Sequence, residues 1–149
     1  MEMSLGDCFD LRGRTAVITG GAGVLCSEMA RALSSRGVRV AVLDLDLEKA
    51  QALATCLCSS GAEGAAFRTN VMDRESLEAA TGQVLTRFER VDLLINGAGG
   101  NQPAATTSPQ CSFFELPSEA LDGVIGLNLL GTILPCQVFG RFMRDQGEG

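Results

Sequence analysis

Two periodicities alternate along the chain, and that alternation limits the possible folds more than any other feature. Short apolar runs at residues 16–18, 38–43, 65–70 and 91–95 read as strands, and residues 24–35, 47–58 and 74–88 between them carry helical spacing. In the first helical segment Leu25, Met29, Ala32 and Leu33 recur three and four residues apart, and Gly37 stands where a C-cap would end it. In the third, Asp73 is a natural N-cap and Glu75 falls in the first turn, while Leu77, Val84, Leu85 and Phe88 make an apolar stripe. Strands alternating with helices of this length define βαβ units. The fold class is therefore α/β, a doubly wound parallel sheet with helices on both faces.

At 149 residues the chain has the length of one domain with a sizeable core, so residues 1–149 are read as a single unit. A formal net charge of −6 without a basic cluster excludes nucleic acid as an expected partner. The six cysteines, Cys8, Cys26, Cys56, Cys58, Cys111 and Cys136, fall into no paired zinc spacing and there is no His, so no metal is expected. The start, MEMSLGDCFDLRGR, is acidic and polar rather than a secretory signal, and reduced thiols fit a cytoplasmic protein. Residues 100–117 form a loop rich in Ala, Thr, Ser, Pro and Gln, of a length usually tied to function. Beyond it, residues 118–145 read as one long helix. Its middle, 124–139, is apolar nearly all round and is expected to be buried on more than one side. Pro135 is expected to kink it, because the ring crowds the Gly131 carbonyl and removes a donor. Asn128, Pro135 and Gln137 inside the apolar stretch argue against a membrane span.

Between the first strand and the first helix lies Thr19-Gly20-Gly21-Ala22-Gly23. A helix N-terminus offers free amides and a partial positive charge, which suits phosphate, and glycines let a ligand approach the backbone. Alone, such a turn is as well explained by a tight loop. Here Asp44 ends the next strand, where a carboxylate accepts hydrogen bonds from an adenosine ribose. This is the layout of a Rossmann-type dinucleotide site. Asp44 would repel a 2′-phosphate and no Arg or Lys immediately follows it, so NAD is favoured over NADP.

The run Leu11-Arg12-Gly13-Arg14-Thr15-Ala16-Val17-Ile18-Thr19-Gly20-Gly21 resembles the opening of a short-chain dehydrogenase/reductase. Asn96-Gly97-Ala98-Gly99 resembles that family's Asn-Asn-Ala-Gly motif after the fourth strand, with Gly for the second Asn. Leu127-Asn128-Leu129-Leu130-Gly131-Thr132 is similar to its Asn-bearing helix. Within the family, GGAGVLC, NGAGGNQPAATTSP and FFELP look most like the D-mannonate oxidoreductase (fructuronate reductase) type. Two family glycines are replaced, by Val24 and Cys26. The resemblance implies that Gly20, Gly21, Gly23 and the amide of Leu25 still hold the diphosphate, with Cys26 as a small buried residue against the sheet. It also implies that Asn70 and Val71 border the adenine, with Asn in place of the usual Asp, and that Asn96, Gly97 and Ala98 line the cofactor ribose through backbone atoms. The plain alternative for Asn70 is a strand-end cap.

Moving a hydride to or from a carbonyl requires a proton donor or acceptor at the oxygen. The chain contains no His and no Tyr, and its single lysine, Lys49, lies far from the expected crevice. The family's Ser and Tyr-x-x-x-Lys would follow Gly149, so the chain is expected to be an amino-terminal part, truncated after about four strands and the long helix, and inactive alone. Of the family's catalytic set only Asn128 has a counterpart, as the Asn that supports a relay water; its bland alternative is a satisfied core amide. The fourth strand would then leave an unpaired edge, inviting aggregation or strand exchange. The leading expectation is the cofactor half of an NAD-dependent oxidoreductase acting on a small sugar acid, a homodimer or homotetramer at full length. The competing ones are a non-catalytic nucleotide-binding or interaction module, and an acidic α/β protein whose glycine turn is purely structural.

Overall fold

The computed structural model of the chain describes residues 10–149; the polar start, residues 1–9 with Cys8, lies outside them. Strands β1 (Thr15–Thr19), β2 (Arg39–Asp44), β3 (Gly64–Arg68) and β4 (Leu93–Asn96) form one parallel sheet in the order β3-β2-β1-β4. Helices α1 (Val24–Ser34), α2 (Leu47–Ser59) and α3 (Arg74–Phe88) connect them. Successive residues of a strand face opposite sides. Accordingly Ile18, Val40 and Val42 are buried in one core with Ala30, Leu53 and Leu57, while Val17, Leu43, Leu77, Val84, Phe88 and Phe139 fill the other. Both faces are covered, as a parallel sheet requires. The fold is the Rossmann-type doubly wound sheet that the alternation implied, cut to four strands.

Register brings the working loops together. Thr19 is level with Leu43 on one side and with Asn96 on the other. Gly20, Asp44 and Gly97 therefore stand one residue beyond the same row, and β3, whose Arg68 is level with Asp44, runs on into Thr69 and Asn70. All these residues cluster at the carboxyl end of the sheet, where open α/β folds bind ligands.

Local signals held at the helix ends. Gly37 takes φ +79° just after α1, and Asp73 caps α3 by accepting from the Glu75 amide at 3.0 Å. Cys26 is buried against the sheet as the resemblance implied, but the rest of the buried face of α1 differs from the one its spacing suggested. Cys26, Ala30 and Ser34 face the sheet, with Leu33 half-buried, whereas Leu25 and Met29 are exposed. Packing selects the small residues because α1 runs close against the sheet and the loop after β4, which leaves the large side chains to project sideways.

The long helix also differs. It is three segments, α4 (Ser118–Ile125), a π-turn (Gly126–Leu130) and α5 (Gly131–Gln146). Its irregularity falls one turn before Pro135, not at it. The Asn128 side chain donates to the Val124 carbonyl at 2.8 Å, and the Gly131 amide reaches back five residues to the Gly126 carbonyl. A side chain inserted into the backbone ladder is a recognised cause of such a break. Expected burial on several sides is not seen: Gly131, Pro135, Val138 and Phe139 are buried, while Ile125, Leu129, Leu130 and Ile133 are exposed. Residues 118–146 are long and apolar enough to cross a membrane by length and composition alone, with only 22% of the apolar window buried. At the other end of the sheet β4 pairs only with β1, so its second edge is open, as expected.

Candidate functional site

The glycine turn is built by contacts that admit no side chain. Gly20 sits at φ +60°, and a Cβ there would lie 2.7 Å from the Ala98 Cα and 2.8 Å from the Gly97 carbonyl oxygen. Both the conformation and the closeness demand glycine. At Gly21 a Cβ would stand 2.9 Å from Val42 Cγ1 and from the Ile18 carbonyl oxygen, so this residue seats the turn on β2. Gly23 is the N-cap of α1 in extended conformation, with no side chain to bond the first-turn amides. Leu25 is the second residue of α1, so its amide belongs to that uncapped turn, and its side chain is 76% exposed. An uncapped helix start carries a partial positive charge and free donors.

Opposite the turn, the Asp44 carboxylate is fixed by two backbone amides. Ala22 donates to Oδ2 and Asp46 to Oδ1, each at 3.0 Å. One amide to each oxygen leaves acceptor capacity on both. Lys49, expected far from the crevice, lies within reach of the Asp44 charge and is paired to Asp46 at 2.8 Å.

Thr19 couples the first loop to the loop after β4, a role the sequence reading missed. Fully buried, its hydroxyl accepts from the amides of Gly97 at 3.2 Å and Ala98 at 3.3 Å. The only signal was a hydroxyl directly before the turn. The replaced family positions also find their explanation: a Cβ on Gly97 would overlap the Cys26 Sγ. Cys26 and Gly97 are one packing unit, in which the thiol fills the volume that a side chain at position 97 would need. Burial, and then the nearby Asp44 carboxylate, push the Cys26 thiol up from its ordinary value, so it is an inert filler.

Three asparagines surround this centre. Asn70 Oδ1 accepts from the Met72 amide at 3.0 Å, which caps the strand end and leaves one lone pair. Asn96 donates through Nδ2 to Cys136 Sγ at 3.1 Å, and its buried Oδ1 has no partner among the described residues. Asn128 grips Gly100 from both sides, donating to its carbonyl at 2.8 Å and accepting its amide at 3.2 Å. That clamp ties the π-turn to the loop after β4.

A cavity of 310 Å³ opens between these elements. Of the residues singled out in the sequence, Gly20, Gly23, Asp44, Asn70, Val71, Gly97 and Ala98 line it. Gly21, Leu25, Asn96 and Asn128 stand outside the lining, while Leu45, Thr69, Gly99 and Leu127 join it without having been expected. The glycine cradle, the uncapped helix start and the anchored carboxylate fit a dinucleotide, the first at its diphosphate and the last at a ribose.

These features are those of a doubly wound fold with a dinucleotide-type crevice. The sequence profile described as "short chain dehydrogenase" matches residues 14–149, and the chain belongs to that family. An oxidoreductase of Bacillus subtilis (strain 168) named UxuB is 44% identical over 140 residues, covering 89% of this chain and 50% of the relative. D-threitol dehydrogenase of Mycolicibacterium smegmatis is 34% identical over 148 residues, covering 99% of this chain and 54% of that protein. A proposed D-mannonate oxidoreductase of Haemophilus influenzae, crystallised with NAD bound, superposes with a TM-score of 0.84 at 37% identity, over 90% of this chain and 51% of that one. The chain thus spans about half the length of the relatives it matches.

Proposed function

We propose that the chain is the cofactor-holding part of an NAD-dependent oxidoreductase that interconverts a hydroxyl and a carbonyl on a sugar acid such as D-mannonate or fructuronate. The observation that carries this reading is the Asp44 carboxylate, held at the mouth of the cavity by the Ala22 and Asp46 amides with acceptor capacity to spare. In this reading Gly20, Gly21 and Gly23, with the Leu25 amide, embrace the diphosphate, and Asp44 takes the ribose hydroxyls. Asn70 and Val71 border the adenine, and Asn96, Gly97 and Ala98 lie along the second ribose. The bound nicotinamide supplies the hydride donor or acceptor. Asn128 serves the reaction by holding the Gly100 backbone and supporting a relay water. Support for the sugar-acid class comes from the likeness to the D-mannonate oxidoreductase, while the D-threitol dehydrogenase likeness supports an open-chain polyhydroxylated substrate.

With no His, no Tyr and its single lysine paired to Asp46, the chain alone binds cofactor without turnover. The apolar row Leu121, Ile125, Leu129 and Ile133, spaced by four along the long helix, is the surface for a second copy in a homodimer or homotetramer at full length. Nucleic acid and membrane have no place in this reading, and the protein is cytoplasmic. The test is a parallel titration with NADH and NADPH. The chain should bind NADH more tightly, and Asp44→Ala should weaken NADH about tenfold while affecting NADPH less. Equal loss for both cofactors would contradict the role given to Asp44.

A further inference from the structure

The loop at residues 97–117 leaves the carboxyl end of β4, and its first three residues line the cofactor cavity. Its root is fixed by the two-way Asn128 clamp on Gly100. Immediately beyond, Asn101, Gln102, Pro103, Thr106, Thr107 and Ser108 line a second cavity of 420 Å³. Only Gly100 separates the linings of the two cavities in the chain.

The chemistry of this loop is narrow. Between Gly97 and Pro117 the single charged residue is Glu115, and it is spent on Ser112, accepting from the amide at 3.1 Å and the hydroxyl at 2.9 Å. No cation stands anywhere in the segment. The polar groups around the second cavity divide into two sets. Asn101 and Thr106 are scaffold: Asn101 Nδ2 donates to Thr106 Oγ1 at 2.8 Å, and that hydroxyl donates to the Gln102 carbonyl at 2.9 Å. The Gln102 side-chain amide and the Thr107 hydroxyl have no partner among the described residues, and both belong to the cavity lining. Gly123 leaves room for Gln102, since a Cβ there would lie 3.2 Å from its Nε2.

We infer that this loop is the subsite for the neutral, hydroxyl-bearing carbon chain of an open-chain polyol or sugar acid, with Gln102 and Thr107 as specificity-determining residues, and that it takes no part in holding a carboxylate. An amide and a hydroxyl together offer both donors and acceptors, which suits neighbouring alcohol groups. A carboxylate would meet no opposite charge here, and an apolar alcohol would make no use of the exposed amide and hydroxyl. The inference rests on the proposed oxidoreductase reading and deepens it.

The test uses the full-length protein, with kcat/KM measured in NAD on D-mannonate and on D-threitol, and NADH affinity measured separately. Gln102→Leu and Thr107→Val should each lower kcat/KM about three- to tenfold on both substrates in parallel, with NADH affinity unchanged. Loss confined to D-mannonate, or no loss on either, overturns the subsite. Wild-type protein that binds NADH but turns over neither compound also overturns it while leaving the cofactor reading intact. Failure to bind NADH overturns the cofactor reading itself, and the subsite falls with it.

Discussion

The two halves of the sheet contrast sharply in how completely they close. Around β1 and β2, Ala16, Val17, Ile18, Val40, Ala41, Val42 and Leu43 are wholly buried, and the segment beyond β1 locks onto the loop after β4 through Gly20, Thr19 and Cys26. Around β4 no strand residue is fully buried, one edge is open, Asn96 Oδ1 is buried without a partner among the described residues, and the long helix shows solvent a row of large apolar side chains. The first region is a finished βαβ unit whose glycine turn cannot be altered without moving the loop after β4. The second leaves a strand edge and a row of large apolar side chains uncovered. The cavity draws its lining from both halves, whereas the open strand edge and the exposed apolar row belong to the second alone.

The comparison can be broken most forcefully at Gly20. Gly20→Val adds both a strained left-handed conformation and a collision with the loop after β4. It should cost about 3 kcal/mol or more in denaturant unfolding and abolish NADH binding in a titration. A variant that binds as well as the wild type would show that the two loops do not interlock.

Next in size is the anchor at the opposite end of the sheet. Asp92 is buried between Arg14 at 3.0 Å and Arg90 at 2.5 Å, and it accepts the Thr15 amide at 2.8 Å. Asp92→Ala should cost about 3 kcal/mol, because two guanidiniums and a buried amide lose their partner together. Burial alone would push the Asp92 carboxyl up, but hydrogen bonds from Arg90, the Thr15 amide and Arg14 outweigh it and hold it below the ordinary range. Glu148 is likewise held low by Arg90 and Arg14. Both native values lie below the unfolded ones, so this stability is complete above about pH 5 and is lost as pH falls through the native values. Acid titration of the circular dichroism signal should show that loss, and it should shrink in Asp92→Ala.

A finer test concerns the paired departures at Cys26 and Gly97. Gly97→Ala forces a methyl into the thiol and should cost about 2 kcal/mol, while Cys26→Gly leaves a hole worth about 1 kcal/mol. The double variant should be more stable than the sum by at least about 1 kcal/mol, read from a double-mutant cycle of unfolding free energies. Strict additivity would mean the two residues do not share space. The smallest effect is expected in the open half, where Leu129→Gln should change the unfolding free energy of the chain by no more than about 0.5 kcal/mol. A large loss there would show that the face is already engaged.

The sequence revealed most of the closed half. The parallel βαβ sheet follows from alternation, and the left-handed Gly37 just past α1 and the Asp73 cap follow from local backbone chemistry, because each signal sits within a few residues of its consequence. The parts that were not legible depend on distant partners. Spacing did not show that Cys26 rather than Leu25 faces the sheet, which only the resemblance implied, since the choice is made by the clearance at Gly97, seventy-odd positions away. The break in the long helix was placed at Pro135 because proline acts locally, whereas the clamp between Asn128 and Gly100 forms only in three dimensions. Seven of the expected cofactor residues, and Thr69 with them, line one cavity because register aligns the ends of four strands, whereas Leu127 enters it only through tertiary packing.

The central claim is that the first crossover and the loop after β4 close on one dinucleotide, and amide chemical shifts recorded while NADH is added test it most directly. The account predicts saturable changes concentrated at Gly20, Gly23, Leu25, Gly97 and Ala98, with Asp44→Ala reducing the affinity. Shifts confined to the opposite end of the sheet, or none at millimolar NADH, would contradict it.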